Sequence, residues 1–239
     1  MLIAVPSKGR AGSVISTQKK LPSATIFVPE LEAEAYKASG NQNVVGVPDE
    51  IQGITKTRNW ILKNTDDPWI VMIDDDVTNA GYVEMLSHKT KHRKLSEQIF
   101  ITEFLKLFEI TEQLKFRIWG IATQSSPGSV YPYKPFIFQT YVTASCMGII
   151  NDGRTYFDES YPVKEDYELC LRCIMQDGGI VGARYIFWAN DHWHKDGGCK
   201  DYRTQHMESE MIDKLMLAYP GYVTKSKDRK GQFCISLNF

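Results

Sequence analysis

The chain has 239 residues, 43% hydrophobic, 12% aromatic and 24% charged. That size and balance suit one packed α/β domain and exclude a disordered, collagenous or coiled-coil chain. The net charge of −1 provides no global pull toward nucleic acid or membrane, so any such attraction must come from local patches.

In residues 1–77 short apolar runs end in proline-bearing or polar loops, usually followed by helix-compatible sequence. The run 2–5 ends at Pro6-Ser7-Lys8-Gly9-Arg10, and 24–28 ends at Pro29-Glu30 before a helical 31–39. The run 44–47 ends at Pro48-Asp49, 55–63 reads as a helix, and 69–73 ends at Asp74-Asp75-Asp76. Continuous apolar runs alternating with helical patterns signal a buried parallel sheet, whose ligands bind outside the carboxyl ends of the strands. Residues 96–116 form an amphipathic helix with Ile99, Phe100, Phe104, Leu107, Phe108 and Leu114 at helical spacing. A strand at 118–122, a proline-rich loop at 123–135, one or two strands within 136–150 and a helix at 164–175 follow. A strand at 180–189 feeds a dense segment at 190–198, then come a helix at 204–218, a basic stretch and a closing strand at 233–237. No repeat or linker interrupts the chain, which reads as a single domain.

No apolar run approaches the ~18 residues of a membrane span, and the first six residues lack the charged lead of a secretion signal. Five cysteines, an odd number at low density, fit reduced thiols. A cytoplasmic protein without a membrane partner is expected.

The Asp74–Asp76 triplet is the most informative feature. Alternate side chains of an extended segment point the same way, so Asp74 and Asp76 are expected to share a face. Two close carboxylates call for a cation, and hard oxygen donors suit Mg²⁺ or Mn²⁺; the plainer reading is a solvated acidic turn. Lys8, Arg10 and Arg58 are cations at strand ends or a helix start, suitable for a pyrophosphate.

The order Pro6-Ser7-Lys8-Gly9-Arg10, Val28-Pro29-Glu30, Gly53-x4-Arg58-Asn59 and Ile73-Asp74-Asp75-Asp76 resembles a GT-A nucleotide-sugar glycosyltransferase with its D-x-D motif. More narrowly, it is similar to the phage glycosyltransferases associated with TET/JBP dioxygenases, over roughly residues 1–200. The resemblance implies a mostly parallel Rossmann-like sheet, a nucleotide-sugar-binding half at 1–77 and an acceptor half at 78–239. It further implies that Pro6, Ser7, Lys8, Arg10 and Glu30 hold the nucleoside and that Arg58 and Asn59 approach the base or diphosphate. Asp74 and Asp75 would meet the donor, a UDP-sugar, with Mn²⁺ or Mg²⁺ at Asp74 and Asp76. The implied acceptor is a 5-hydroxymethylpyrimidine in phage DNA, in the host cytoplasm.

Glu165 and Asp166 open a helix after Tyr161-Pro162, where acidic residues are also favoured by the helix dipole. In inverting GT-A enzymes a carboxylate at a similar helix start takes the acceptor's proton, which makes Asp166 the first candidate base and Glu165 the second. His192 and His194 flank Trp193 just after a strand, and many GT-A enzymes take a further metal ligand from such a histidine. Cys170-x2-Cys173 suggests zinc, but within a helix the two thiols share a face and suit a core.

The basic runs 88–94 and 225–230, and the aromatic loop 131–136, offer phosphate contacts and a stacking surface for DNA. Competing readings are a glycosyltransferase acting on polysaccharide or protein, a sugar-phosphate nucleotidyltransferase, and a DNA-binding module without activity. The N-terminal loop has a single glycine where a nucleotidyltransferase usually has a glycine-rich phosphate loop.

Overall fold

The computed structural model describes residues 1–86, 89–123, 133–190, 204–227 and 233–238. Four strands, β1 (Leu2–Pro6), β2 (Thr25–Pro29), β3 (Val44–Val47) and β4 (Trp69–Ile73), lie parallel in the order β3-β2-β1-β4. Their carboxyl ends therefore share one edge of the sheet. The sheet continues through β9 (Cys146–Ile150), β7 (Ile118–Ala122), β10 (Val181–Asn190), β5 (Val77–Leu86) and β6 (Lys89–Lys94), with the two-residue β8 (Phe136–Ile137) pairing to β10. β9 runs antiparallel to both β4 and β7, whereas β10 runs parallel to β7. β10 thus ends on the same edge as β4. A separate hairpin of β11 (Val223–Lys227) and β12 (Phe233–Leu237) closes the described chain.

Side chains alternate between two cores. In β1, Ile3 and Val5 pack with Phe100, Phe104, Leu107 and Phe108 of α3 (Glu97–Gln113) and Tyr36 of α1 (Ala33–Ala38), while Ala4 faces the other way. In β4, Val71 and Ile73 face α3, whereas Ile70 and Met72 face α2 (Ile54–Lys63) and α4 (Glu165–Asp177). Cover on both faces is why these strands read as unbroken apolar runs. A smaller core joins α5 (Gln205–Ala218) and the terminal hairpin to Tyr161 and Leu171 beside and on α4.

Several expected elements differ in detail. No helix connects β1 to β2; residues 7–24 form an irregular loop held by Asn41, which accepts from the Ile15 N–H at 2.9 Å and donates to the Ser13 carbonyl at 3.1 Å. The stretch 31–39 begins as a 3₁₀ turn, Glu30–Glu32, before α1. The helix expected over 96–116 stops at Gln113, with Lys115 at φ 59°. The basic run at 88–94 is strand at residues 89–94, at the free end of the sheet order, and 225–227 belongs to β11.

Gly148 of β9 lies beneath Trp119, which is fully buried and flanked by Phe104 and Phe108 with ring centroids 5.3 and 5.2 Å away. A Cβ at position 148 would sit 1.9 Å from Trp119 Cε2. The boxed indole has nowhere to go, so Gly148→Ala should destabilise the protein by about 1–3 kcal/mol. Chemical denaturation checks this; an unchanged midpoint contradicts the packing.

Candidate active site

β4 ends at Ile73, so the acidic triplet begins one residue past the sheet edge. Alternation carries Asp74 toward α2 and α4, where one oxygen lies 3.3 Å from Arg58 Nη2 and the other accepts from Asn190 Nδ2 at 3.3 Å. Asp75 turns to the opposite side and meets Ser7 Oγ and Arg10 Nη1. The chain turns at Asp75–Asp76, which ends the alternation. Asp76 Oδ2 consequently lies 3.6 Å from the same Arg10 Nη1. Asp75 and Asp76 thus both reach Arg10, while Asp74 reaches Arg58 and Asn190.

The 7–24 loop holds the triplet's backbone. Thr17 Oγ1 donates to the Asp74 carbonyl at 2.6 Å, and Ser16 Oγ donates to the Asp75 carbonyl at 3.2 Å. Asp74 N–H donates to the Ser145 carbonyl at 3.1 Å. Tyr36, fully buried, accepts from the Arg10 N–H at 3.0 Å and shares a hydrogen bond with Ser7 Oγ at 2.8 Å. Burial raises its phenol pKa above the ordinary value.

Pro6 and Ser7 are buried at the end of β1, whereas Lys8 is exposed. Glu30 stands exposed on the 3₁₀ turn, and the carboxylate that grips the Pro6–Arg10 loop is Glu32, accepting from the Gly9 N–H at 2.7 Å. Arg58 is not a cation presented to solvent. It is 4% exposed and bridges Asp74 to Glu165 on α4. The Asn59 amide donates to the Phe157 carbonyl at 2.8 Å and to Glu159 at 2.9 Å and accepts from the Phe157 N–H at 2.8 Å, so it pins the 157–159 loop.

At the head of α4, Glu165 and Asp166 part company. Glu165 is 6% exposed and faces Arg58. Burial raises its pKa to about 7 against the opposing pull of the Arg58 guanidinium, with Asp166 and Asp74 adding to the rise. Asp166 is half-buried, accepting from the Tyr141 hydroxyl and from the Tyr167 N–H at 2.9 Å. Cys170 and Cys173 are free and buried in α4, as the helical spacing implies. His192 and His194 lie outside the described residues.

Four carboxyl groups (Asp74, Asp75, Asp76, Glu165) thus meet two guanidiniums (Arg10, Arg58) at one edge of the sheet. Asp76 is 6% exposed, and its Oδ1 is buried without a hydrogen-bond partner among the described residues. A buried carboxylate oxygen with an open lone pair fits a hard divalent cation. No cluster of three His, Cys, Asp or Glu suited to a metal occurs among the described residues. A cavity of about 600 Å³ lies between α2 and residues 151–159, bordered by Asn59 and its partners Phe157 and Glu159 and by none of the four clustered carboxyl groups or two guanidiniums. The chemistry and that cavity are therefore separate. Thr17, Tyr36 and Tyr141 carry no motif that could single them out, whereas Asn190 opens the segment marked by its density.

The family model for TET-Associated Glycosyltransferase matches residues 1–198. Among solved structures, glucosyl-3-phosphoglycerate synthase from Mycobacterium tuberculosis with phosphoglyceric acid superposes with a TM-score of 0.57 at 11% identity, covering 93% of this chain and 82% of that one. The same synthase with Mn²⁺, UDP and glucosyl-3-phosphoglycerate gives 0.55 at 11%, covering 99% and 86%. S. aureus TarS 1–349 gives 0.46 at 13% identity, and this chain spans 66% of it while 90% of this chain is covered. No curated protein matches the sequence. At such identities the two synthase superpositions establish the GT-A fold. Among the described residues no helix is long and apolar enough to cross a membrane.

Proposed function

The chain belongs to the TET-associated glycosyltransferase family, and we propose that it moves a sugar from a UDP-sugar to the hydroxyl of a 5-hydroxymethylpyrimidine in DNA with the help of Mn²⁺ or Mg²⁺. Its glycosyltransferase class follows from the family; donor, metal and acceptor are the proposal. The observation that carries it is the acidic triplet just past the carboxyl end of β4, with the open Asp76 oxygen beside three further parallel strand ends.

In this reading the Pro6–Arg10 loop, closed by Glu32 and Tyr36, receives the nucleoside, and the edge formed by Asp74–Asp76 faces the diphosphate. Asp76, with Asp74 nearby, would hold the ion, as would His192 or His194. The bound ion supplies charge neutralisation for the departing diphosphate. The remaining work falls to the chain itself. Arg58 keeps Asp74 and the head of α4 in register. Asp166 accepts the proton of the acceptor hydroxyl as the oxygen bonds to the sugar's anomeric carbon and the bond from that carbon to UDP breaks. The superposed synthase, crystallised with Mn²⁺ and UDP, supports the donor and metal by fold alone.

The DNA acceptor draws support from the family and from β6, where Lys89, Lys91, Arg93 and Lys94 occupy the end strand of the sheet. Such a basic strand suits backbone phosphates. The second basic run contributes less, because Lys225 is tied to Asp213 at 2.8 Å and to Ser209 at 2.6 Å. Residues 228–230 lie outside the described residues. Tyr133, 71% exposed, offers a face for an extruded base.

The test is incubation with Mn²⁺, a panel of UDP-sugars and duplex DNA containing hydroxymethylcytosine, followed by mass analysis of the nucleosides. A nucleoside heavier by one sugar is expected, with sugar-dependent release of UDP. Transfer to a polysaccharide or protein but not to this DNA overturns the acceptor, and pyrophosphate release from a nucleoside triphosphate overturns the reaction. Asp166→Asn should lower turnover by about 10²–10⁴-fold with little change in the KM for donor, as expected when a base is removed.

A further inference from the structure

Asp166 does not stand free at the head of α4. One carboxylate oxygen accepts the Tyr141 hydroxyl and the other accepts the Tyr167 N–H at 2.9 Å. Tyr141 comes from the loop before β9, some distance away in sequence, and its ring stacks on that of Tyr167 with centroids 3.9 Å apart and planes 13° from parallel. The stack borders a cavity of about 350 Å³ closed by Gln139, Thr140, Ile235 and Leu237. Two of those walls belong to the terminal hairpin, which lies beyond the family match at residue 198.

We infer that Tyr141 is a positioning residue for the proton acceptor, its hydroxyl fixing the orientation of Asp166 from the side of this cavity. The inference rests on the proposed role of Asp166 as base. A carboxylate attached to the first turn of a helix by one Cβ turns freely unless something selects its rotamer. Two donors approaching different oxygens leave a single orientation, with the remaining lone pairs for the acceptor hydroxyl. General-base work depends on such placement within hydrogen-bond reach. Burial, reinforced by the neighbouring Asp166 charge, holds the Tyr141 phenol well above its ordinary pKa. It therefore remains a neutral donor throughout the working pH range.

Several ionisable groups among the described residues surround Asp166. Tyr141 faces it from the loop, Tyr167 and Cys170 from its own helix, and Glu165 from the adjacent position, where Arg58 partners that carboxylate. Lys164 precedes them in the left-handed region at φ 66°, its ammonium paired 2.7 Å from Glu208 of α5 and lying over the Tyr167 ring. Among the donors, the Tyr141 hydroxyl is the one that a minimal substitution removes. Tyr141→Phe keeps the ring, the stack and the cavity wall and deletes a single oxygen.

The experiment measures transfer to hydroxymethylcytosine DNA by the full chain. Tyr141→Phe should lose about tenfold or more in kcat with the KM for donor unchanged, and its denaturation midpoint should stay close to that of the wild type because the ring and the stack remain. In the Asp166→Asn background the same substitution should cost little further, because the carboxylate it orients is gone. A Tyr141→Phe protein with wild-type kcat, or a loss that persists undiminished in the Asp166→Asn background, overturns the inference while leaving the base in place. Full transfer by Asp166→Asn removes the base itself, and the positioning role with it.

Discussion

Asp76→Asn should reduce sugar transfer by about 10³-fold. Asp76 Oδ1 is buried and unpartnered among the described residues, while Oδ2 leans on Arg10. If the open oxygen holds the divalent ion, an amide in its place offers a neutral, weaker donor. The several kcal/mol of charge stabilisation at the departing diphosphate then disappear. The fold should survive, because Arg10 keeps Asp75, and Ser7 and Tyr36 continue to hold that corner. Two measurements decide the matter. The first is turnover at saturating UDP-sugar across a Mn²⁺ titration. The second is Mn²⁺ affinity in the presence of UDP, read calorimetrically without an acceptor. Wild-type Mn²⁺ affinity in Asp76→Asn contradicts the metal assignment even where turnover is lost.

Arg58→Leu should be the most destabilising substitution, by about 3–5 kcal/mol at neutral pH. The guanidinium is 4% exposed, sits between Asp74 and Glu165, and lies 5.5 Å from the Phe157 ring centroid. Its removal leaves Glu165 buried without its cation. The pH dependence has a definite sign. Glu165 has a folded-state pKa of about 7, above the ordinary 4.5. Between those values the native state holds a proton that the unfolded state has released. This group's contribution to stability is therefore full below about 4.5 and declines as pH rises through about 7. Without Arg58 the folded pKa climbs further, so the deficit of Arg58→Leu should be larger at pH 8 than at pH 5. Urea denaturation at the two pH values checks this, with Glu165→Gln in the Arg58→Leu background expected to recover part of the loss. Equal deficits at both values contradict a charged Glu165 as the cause.

The two substitutions mark where sequence reasoning reached and where it stopped. β4 and its acidic end were readable because a strand buried on both faces must be continuously apolar, and three aspartates after it break that pattern abruptly. α4 was readable from its spacing, and so was the core role of Cys170 and Cys173. The protein partners of Asn59 and Arg58 were not legible, for a common reason. A polar side chain near the start of a predicted helix looks alike whether it meets a ligand or a distant loop. Asn59 spends its amide on Phe157 and Glu159, about a hundred positions on, and no local pattern encodes such a partner.

The sequence by itself determined the alternation of strands and helices, the edge of the sheet where chemistry gathers, and the family. These follow from local hydrophobic periodicity and from motifs that lie within a few residues of a strand end. Tertiary structure alone decided which carboxylates converge. A turn at Asp75–Asp76 overrides strand alternation and sends Asp76 to Arg10, Asp74 reaches Arg58 and Asn190, and Asp166 is gripped by a tyrosine from another loop. Those pairings join segments far apart in the chain, and they form because buried charges and hydroxyls must find partners once water is excluded.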